Sequence, residues 1–231
     1  MIKQVSLLAF AALSLGRLGI AGPCSIGTLA SYVSLGHGGC TIGNNTLSDF
    51  KVFTTGTAFA TELAAGVVNL TPSGGNYLPT LAFSVSQTAT DGNLIETFFS
   101  YDISGAGYIG TAAALSGSSE TLPDGAVTGI ENYCEGGSFG SDGVDGCPDA
   151  NGALVTADGF QNTDSAAFSK IPFINVTDDF TIDGPASGGT FSNSFSAVPE
   201  PISISLTGVG LILAGLWGGA TRRRRPITKQ N

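Results

Sequence analysis

Leu81, Phe83 and Val85 alternate with Ala82, Ser84 and Ser86. The same period runs through Ile95, Thr97, Phe99, Tyr101 and Ile103 against Glu96, Phe98, Ser100 and Asp102. A period of two places one set on the covered face of a β-sheet and the other on its outer face. Tyr101 is thereby assigned to the core. Weaker runs at 51–60, 107–115, 126–133, 153–156, 173–177 and 190–197 extend the pattern along the chain. Turn-forming clusters separate them: Thr71-Pro72-Ser73-Gly74-Gly75, Asp91-Gly92-Asn93, Pro123-Asp124-Gly125 and Asp183-Gly184-Pro185. Roughly seven or more short strands with glycine-rich turns predict an all-β fold, an antiparallel β-sandwich of jelly-roll-like or Ig-like kind. One short helix is expected within 29–35. The small-residue stretch 186–196 reads either as a last strand or as a flexible stalk.

Both ends of the chain carry a different pattern. Lys3 precedes a twelve-residue, largely apolar run from Val5 to Gly16, and Gly19-Ile20-Ala21 supplies small residues at the −3 and −1 positions. This predicts a signal peptide over 1–21, exported by the Sec translocon and cut after Ala21 by signal peptidase. Cys24 lies close by, but Pro23 stands where a lipobox takes a small residue, so ordinary cleavage is expected rather than lipidation. At the other end, Ile202 to Ala220 is nineteen residues without a charge. As a helix it would span about 28 Å, enough for the hydrocarbon core of a bilayer. Trp217 lies near one end of the span, and Arg222, Arg223, Arg224 and Arg225 follow it there, which predicts one transmembrane helix with the arginines and the tail 226–231 in the cytoplasm. The β-rich body, 22–197, then lies outside.

Charge sharpens this division. Between Gly22 and Val198 fall 17 of the chain's 18 acids but only two of its nine bases, Lys51 and Lys170, a balance of 2 − 17 = −15. Such a surface repels nucleic acid and anionic lipid. All four cysteines, Cys24, Cys40, Cys134 and Cys147, lie in this exported part, and an even number outside the cytoplasm predicts disulfides. Of the three connectivities, neighbour pairing closes the shortest loops and is the expected one. Structural zinc needs ligand pairs two to four residues apart, and His37 with Cys40 has no second pair to match it.

Val198-Pro199-Glu200-Pro201, then an apolar span, then an arginine cluster, resembles the sorting signal of PEP-CTERM proteins, with 198–225 as the whole signal. The resemblance implies an exported protein of a Gram-negative bacterium that makes exopolysaccharide. It implies recognition of the tail by an exosortase, a membrane-embedded cysteine transpeptidase-like enzyme, and a destination at the cell surface or in the biofilm matrix. The Pro-Glu-Pro element resists helix and presents an extended segment at the membrane surface. "SIGTLASYVSLGHGGCTIGNNTLSDF", "GIENYCEGGSFG" and "FINVTDDFTIDG" resemble PEP-CTERM ectodomains in style and spacing, and they bring no catalytic residue with them.

Candidate chemistry in the body is sparse. His37 is the only histidine and sits in a Gly-rich turn; a Ser–His–Asp triad would need it as base, and no Gly-x-Ser-x-Gly elbow is present. Asp178 and Asp179 are the only adjacent acids, and neighbours on a strand point to opposite faces, so a solvated strand end is expected rather than a pair flanking one glycosidic bond. Gly136 to Asp142 resembles a Gly-Gly-x-Gly-x-Asp calcium repeat with one residue too many, and Asp142, Asp145 and Asp149 form a candidate loose Ca²⁺ site, clamped by Cys134 and Cys147. Sugar sites commonly stack rings on aromatic side chains, and the body has tyrosines but no Trp. The expected function is a non-enzymatic surface or matrix protein associated with exopolysaccharide. A weak Ca²⁺- or glycan-binding module is the alternative, and a secreted hydrolase ranks third.

Overall fold

The computed structural model describes residues 21–54, 60–120 and 124–198. The expected signal peptide, except Ala21, lies outside the described residues. So do Pro199, Glu200, Pro201, the apolar span and Arg222–Arg225. No helix among the described residues is long and apolar enough to cross a membrane.

The described strands are, in chain order, β1 (Gly22–Pro23), β2 (Gly27–Thr28), β3 (Cys40–Ile42), β4 (Asn45–Phe53), β5 (Ala60–Glu62), β6 (Asn69–Ser73), β7 (Thr80–Ser84), β8 (Thr88–Ala89), β9 (Leu94–Ser116), β10 (Ser119–Glu120), β11 (Ala126–Glu135), β12 (Asn151–Ala157), β13 (Thr163–Asp183), β14 (Ala186–Ser187) and β15 (Thr190–Ala197). Among the described residues one α-helix, α1 (Leu29–Val33), starts on Thr28, whose hydroxyl accepts from the Ser31 N–H; it buries Leu29 and Tyr32, and a 3-10 turn at Gly36–Gly38 follows it.

Twelve strands form one sheet, which curls into a sandwich because β9 and β13 belong to both layers. Residues 94–104 of β9 pair with β4 on one side and with 173–183 of β13 on the other, and β11 and β12 continue that layer. Residues 108–116 of β9 pair with β15 and with 163–167 of β13, and β7, β6 and β2 continue the second layer. The change of layer falls at Gly105–Gly107, where Gly107 has φ 106°, and at the register shifts of β13 between Ala167 and Phe173. An L side chain rarely adopts that φ, so glycine permits the bend. β8, β10 and β14 form a small separate sheet.

The core lies between the layers. Phe83 of β7 meets Phe99 of β9 and Phe180 of β13 edge-on, at 5.0 and 5.7 Å between ring centres. Phe195 of β15 meets Tyr101 and Tyr108 the same way. Thr97, Phe99, Tyr101 and Ile103 are buried, as the alternation predicts. Gly129 of β11 leaves room for the buried Phe191 ring; a Cβ there would come within 2.2 Å of it. We expect Gly129→Ala to cost about 1–3 kcal/mol by overpacking, read from the shift in denaturant midpoint.

The structure corrects several expectations. Thr71, Pro72 and Ser73 belong to β6, and the turn begins at Gly74. Pro72 lies past the end of β2, where β6 has a partner on one side only, so a missing donor is tolerated. The runs at 95–103 and 107–115 are one bent strand, not two. Asp178 and Asp179 lie within the twenty-one residues of β13 and are not a solvated end. The stretch 186–196 forms β14 and most of β15 and is not a stalk.

Candidate functional site

Two disulfides join Cys24 to Cys40 and Cys134 to Cys147, the neighbour pairing. The second closes a loop that folds over the outer face of β4, β9 and β13. Cross-strand register explains what lies beneath it. Phe53, Phe98 and Asp179 stand in one row across β4, β9 and β13; Lys51, Ser100 and Thr177 form the next; Ser48, Asp102 and Asn175 the one after. Asn175 ties floor to roof. Its Oδ1 accepts from the Phe139 N–H at 3.0 Å, and its Nδ2 donates to Asp102 at 2.6 Å. Gly143, at φ +80°, brings the loop onto the floor, where an added Cβ would lie 3.1 Å from the Phe53 ring.

On one side of the loop a groove of about 590 Å³ runs over the sheet. Its floor is the ring pair Phe53–Phe98, with centres 5.2 Å apart and planes tilted by 46°. Polar groups converge on it: Glu96, Asp179, Asn132 and Asp142. Burial and the neighbouring Glu96 charge push the Asp179 carboxyl up to about 6, against the Thr181 hydroxyl that bonds it. The backbone N–H groups of Asp145 and Val144 hold Asp142 below the usual carboxylate range. A second cavity of about 310 Å³, with Lys51 and Asp102 in its lining, shares Phe53 and Ser141 with the first. Ring faces that take C–H groups, beside carboxylates and an amide that take hydroxyls, suit a polyhydroxylated ligand.

No family model and no curated protein matches the chain. Among solved structures, the chain is similar to TmCBM61 in complex with beta-1,4-galactotriose, with 8% sequence identity over 65% of this chain and 88% of that one. The TM-score is 0.31, a likeness too slight to bear on what this chain binds.

The inner face of the same sheet carries a cluster that sequence reasoning missed. Glu131 of β11 stands directly opposite Asp178 of β13, both fully buried. The second layer supplies their partners. Thr111 donates to Glu131 Oε1 at 2.6 Å, and Asn193 Nδ2 lies 2.7 and 2.8 Å from the two Asp178 oxygens and 3.0 Å from the Tyr101 hydroxyl. Among the described residues, Glu131 Oε2 and Asn193 Oδ1 have no hydrogen-bond partner. Burial pushes the Glu131 carboxyl up to about 8, with the Thr111 bond opposing and the Asp164 charge adding to it. Burial, then the Glu131 charge, raises Asp178 well above the carboxylate range.

The remaining candidates separate. Among the described residues no three His, Cys, Asp or Glu side chains gather as a metal site. Asp142, Asp145 and Asp149 are accordingly not brought together as a Ca²⁺ cage. Asp142 Oδ1 instead accepts from the Val144 and Asp145 N–H groups, which shapes the loop, and the Asp145 carbonyl accepts from Gly140. His37 is 95% exposed and pairs with Asp49. Val198, the only sorting-motif residue described, follows β15 directly.

Proposed function

We propose that this chain is an exported, non-enzymatic surface or extracellular-matrix protein of a Gram-negative bacterium whose body binds a glycan in the outer-face groove. Residues 1–21 carry it through the Sec translocon, and an exosortase sorts and cuts it at Val198-Pro199-Glu200-Pro201. The groove carries the binding half of this reading: a Phe53–Phe98 floor flanked by carboxylates and the Asn132 amide. Its acids, with Lys51 kept to the neighbouring cavity, favour neutral or amino sugars over uronic acids. Two disulfides fit folding outside the cytoplasm.

The address half is tested by the intact mass of the protein recovered from its host. The expected mass begins near Gly22, ends near Pro199–Pro201 and has four oxidised thiols. A mass that retains Arg222–Arg225 contradicts cleavage. One observation favours a second reading, a hydrolase: Asp179, beside Glu96 in the groove, has a carboxyl raised to about 6, in the range of a general acid. Turnover of a glycoside panel that Asp179→Asn abolishes would establish it.

A further inference from the structure

The surface around Val198, where the chain leaves the sandwich, differs from the rest of the body. The Val198 N–H donates to the Gly107 carbonyl at 2.9 Å, the Ala197 N–H to that of Tyr77 at 2.9 Å, and the Phe195 N–H to that of Pro79 at 3.0 Å. The exit point is therefore flanked by the 74–79 loop and by the bend of β9. Tyr77 and Leu78 are 60% and 51% exposed on the first, and Ile109, just past the bend, is 41% exposed. Lys170, one of the two bases of the body, lies against Gly107, where an added Cβ would touch its side chain. No Asp or Glu falls in 43–48, 74–80, 103–111, 165–173 or 190–198, although 22–198 holds 17 acids. An acid-free end on so acidic a body is a local reversal of the charge pattern.

This end is also held firmly. Buried Asn45 donates to the carbonyls of Ile42, Gly75 and Asn76 and accepts from the Tyr108 hydroxyl at 2.9 Å. Asn76 Oδ1 accepts from the Asn44 N–H at 3.0 Å. The loop that displays Tyr77 and Leu78 is thus tied both to the β3–β4 turn and to the bend of β9. From Val198 to Ile202, four Cα steps reach at most about 14 Å. The headgroup layer of a leaflet is roughly 5–8 Å deep.

We propose that the Val198 end of the sandwich is a lipid-facing surface, with Tyr77, Leu78 and Ile109 resting in the headgroup layer from which the tail emerges and Lys170 meeting lipid phosphate. The inference rests on the reading of 202–220 as a membrane span. An aromatic ring, aliphatic side chains and a lysine without acids match the composition of a membrane interface. The apposition holds Pro199-Glu200-Pro201 flush with the bilayer, within reach of a membrane-embedded enzyme. Three apolar side chains and one lysine are too few for stable binding once the tail is cut, so cleavage releases the body.

The test uses the full chain in vesicles of phosphatidylethanolamine and phosphatidylglycerol, with Trp217→Phe to remove the only tryptophan. Tyr77→Trp reports on the exit end. Phe160→Trp, at an 83% exposed site beside the start of β13, reports about 20 Å away along β9. Brominated lipid is expected to quench most of the Tyr77→Trp emission and to leave that of Phe160→Trp unchanged. Leu78→Trp gives the same reading if the first variant fails to fold. A chain that stays with the vesicles through alkaline flotation while neither exit-end probe is quenched overturns the docking and leaves the span standing. A chain that does not float overturns both.

Discussion

Raising the pH from about 4.5 to 8 is expected to destabilise the body, and Glu131→Gln is expected to make that loss clearly smaller. Glu131 is buried, and its carboxyl moves from 4.5 to about 8 on folding. Between those values the native state holds a proton that the unfolded chain releases, so stability declines with pH. The slope reaches about 1.4 kcal/mol per pH unit for one such group, which makes several kcal/mol over the interval. Below 4.5 the group is protonated in both states and the contribution is fully present; it is lost as pH rises through the folded value. Asp178, also raised, adds in the same direction. The groups facing the pair are Tyr101, Thr111 and Asn193, with the charges of Asp164 and Asp179 nearby. None is cationic, so the Thr111 and Asn193 hydrogen bonds oppose the rise but no countercharge joins them. Denaturant melts at pH 5, 6.5 and 8 check this. Surface carboxylates are untouched by Glu131→Gln, so a variant that keeps the wild-type pH slope would place the effect elsewhere.

The second large effect is expected from opening the Cys134–Cys147 loop. The bridge joins residues 13 apart, and closing a loop of that size stabilises by about 3 kcal/mol. The paired substitution Cys134→Ala, Cys147→Ala should lower stability by that order. It should also weaken glycan binding, because the loop supplies Ser141, Asp142 and Val144 to the groove. Gly143→Val separates the two effects. It leaves the bridge intact but drives a side chain into Phe53 and Thr177 at a φ of +80° that only glycine takes freely, so binding should fall although the bridge stays closed. Equal binding by all three proteins would show that the loop is no part of the site.

Legibility in the sequence followed the apolar side chains. Leu81, Phe83 and Val85, and the odd-numbered residues from Thr97 to Ile103, declared their buried face because the positions between them are small or polar, Phe98 of the groove floor excepted. Asp178 and Glu131 obey the same parity, with Val176, Phe180 and Ile182 on one strand and Val127 and Gly129 on the other. Their charge masked it, since a carboxyl on an inward position reads as a break in the pattern until the strand opposite is known. The bend of β9 hid for a related reason. Ser104-Gly105-Ala106-Gly107 looks like a turn, and only the pairing of β13 along both halves, with register shifts at the bend, shows one strand. The groove depends on register throughout: Phe53, Phe98 and Asp179 are 45 and 81 residues apart in sequence and become neighbours only through β4–β9 and β9–β13 pairing. The loop acids were visible as a cluster, but their use as backbone acceptors was not.

The most direct measurement is a calorimetric titration of the mature protein with fragments of its host's exopolysaccharide, beside Phe98→Ala. Saturable binding to the wild type is expected, with at least about a tenfold loss on removal of the ring, the equivalent of about 1.4 kcal/mol, and the melting profile retained. No heat with the wild type, or equal affinity in the variant, would contradict a glycan site in this groove.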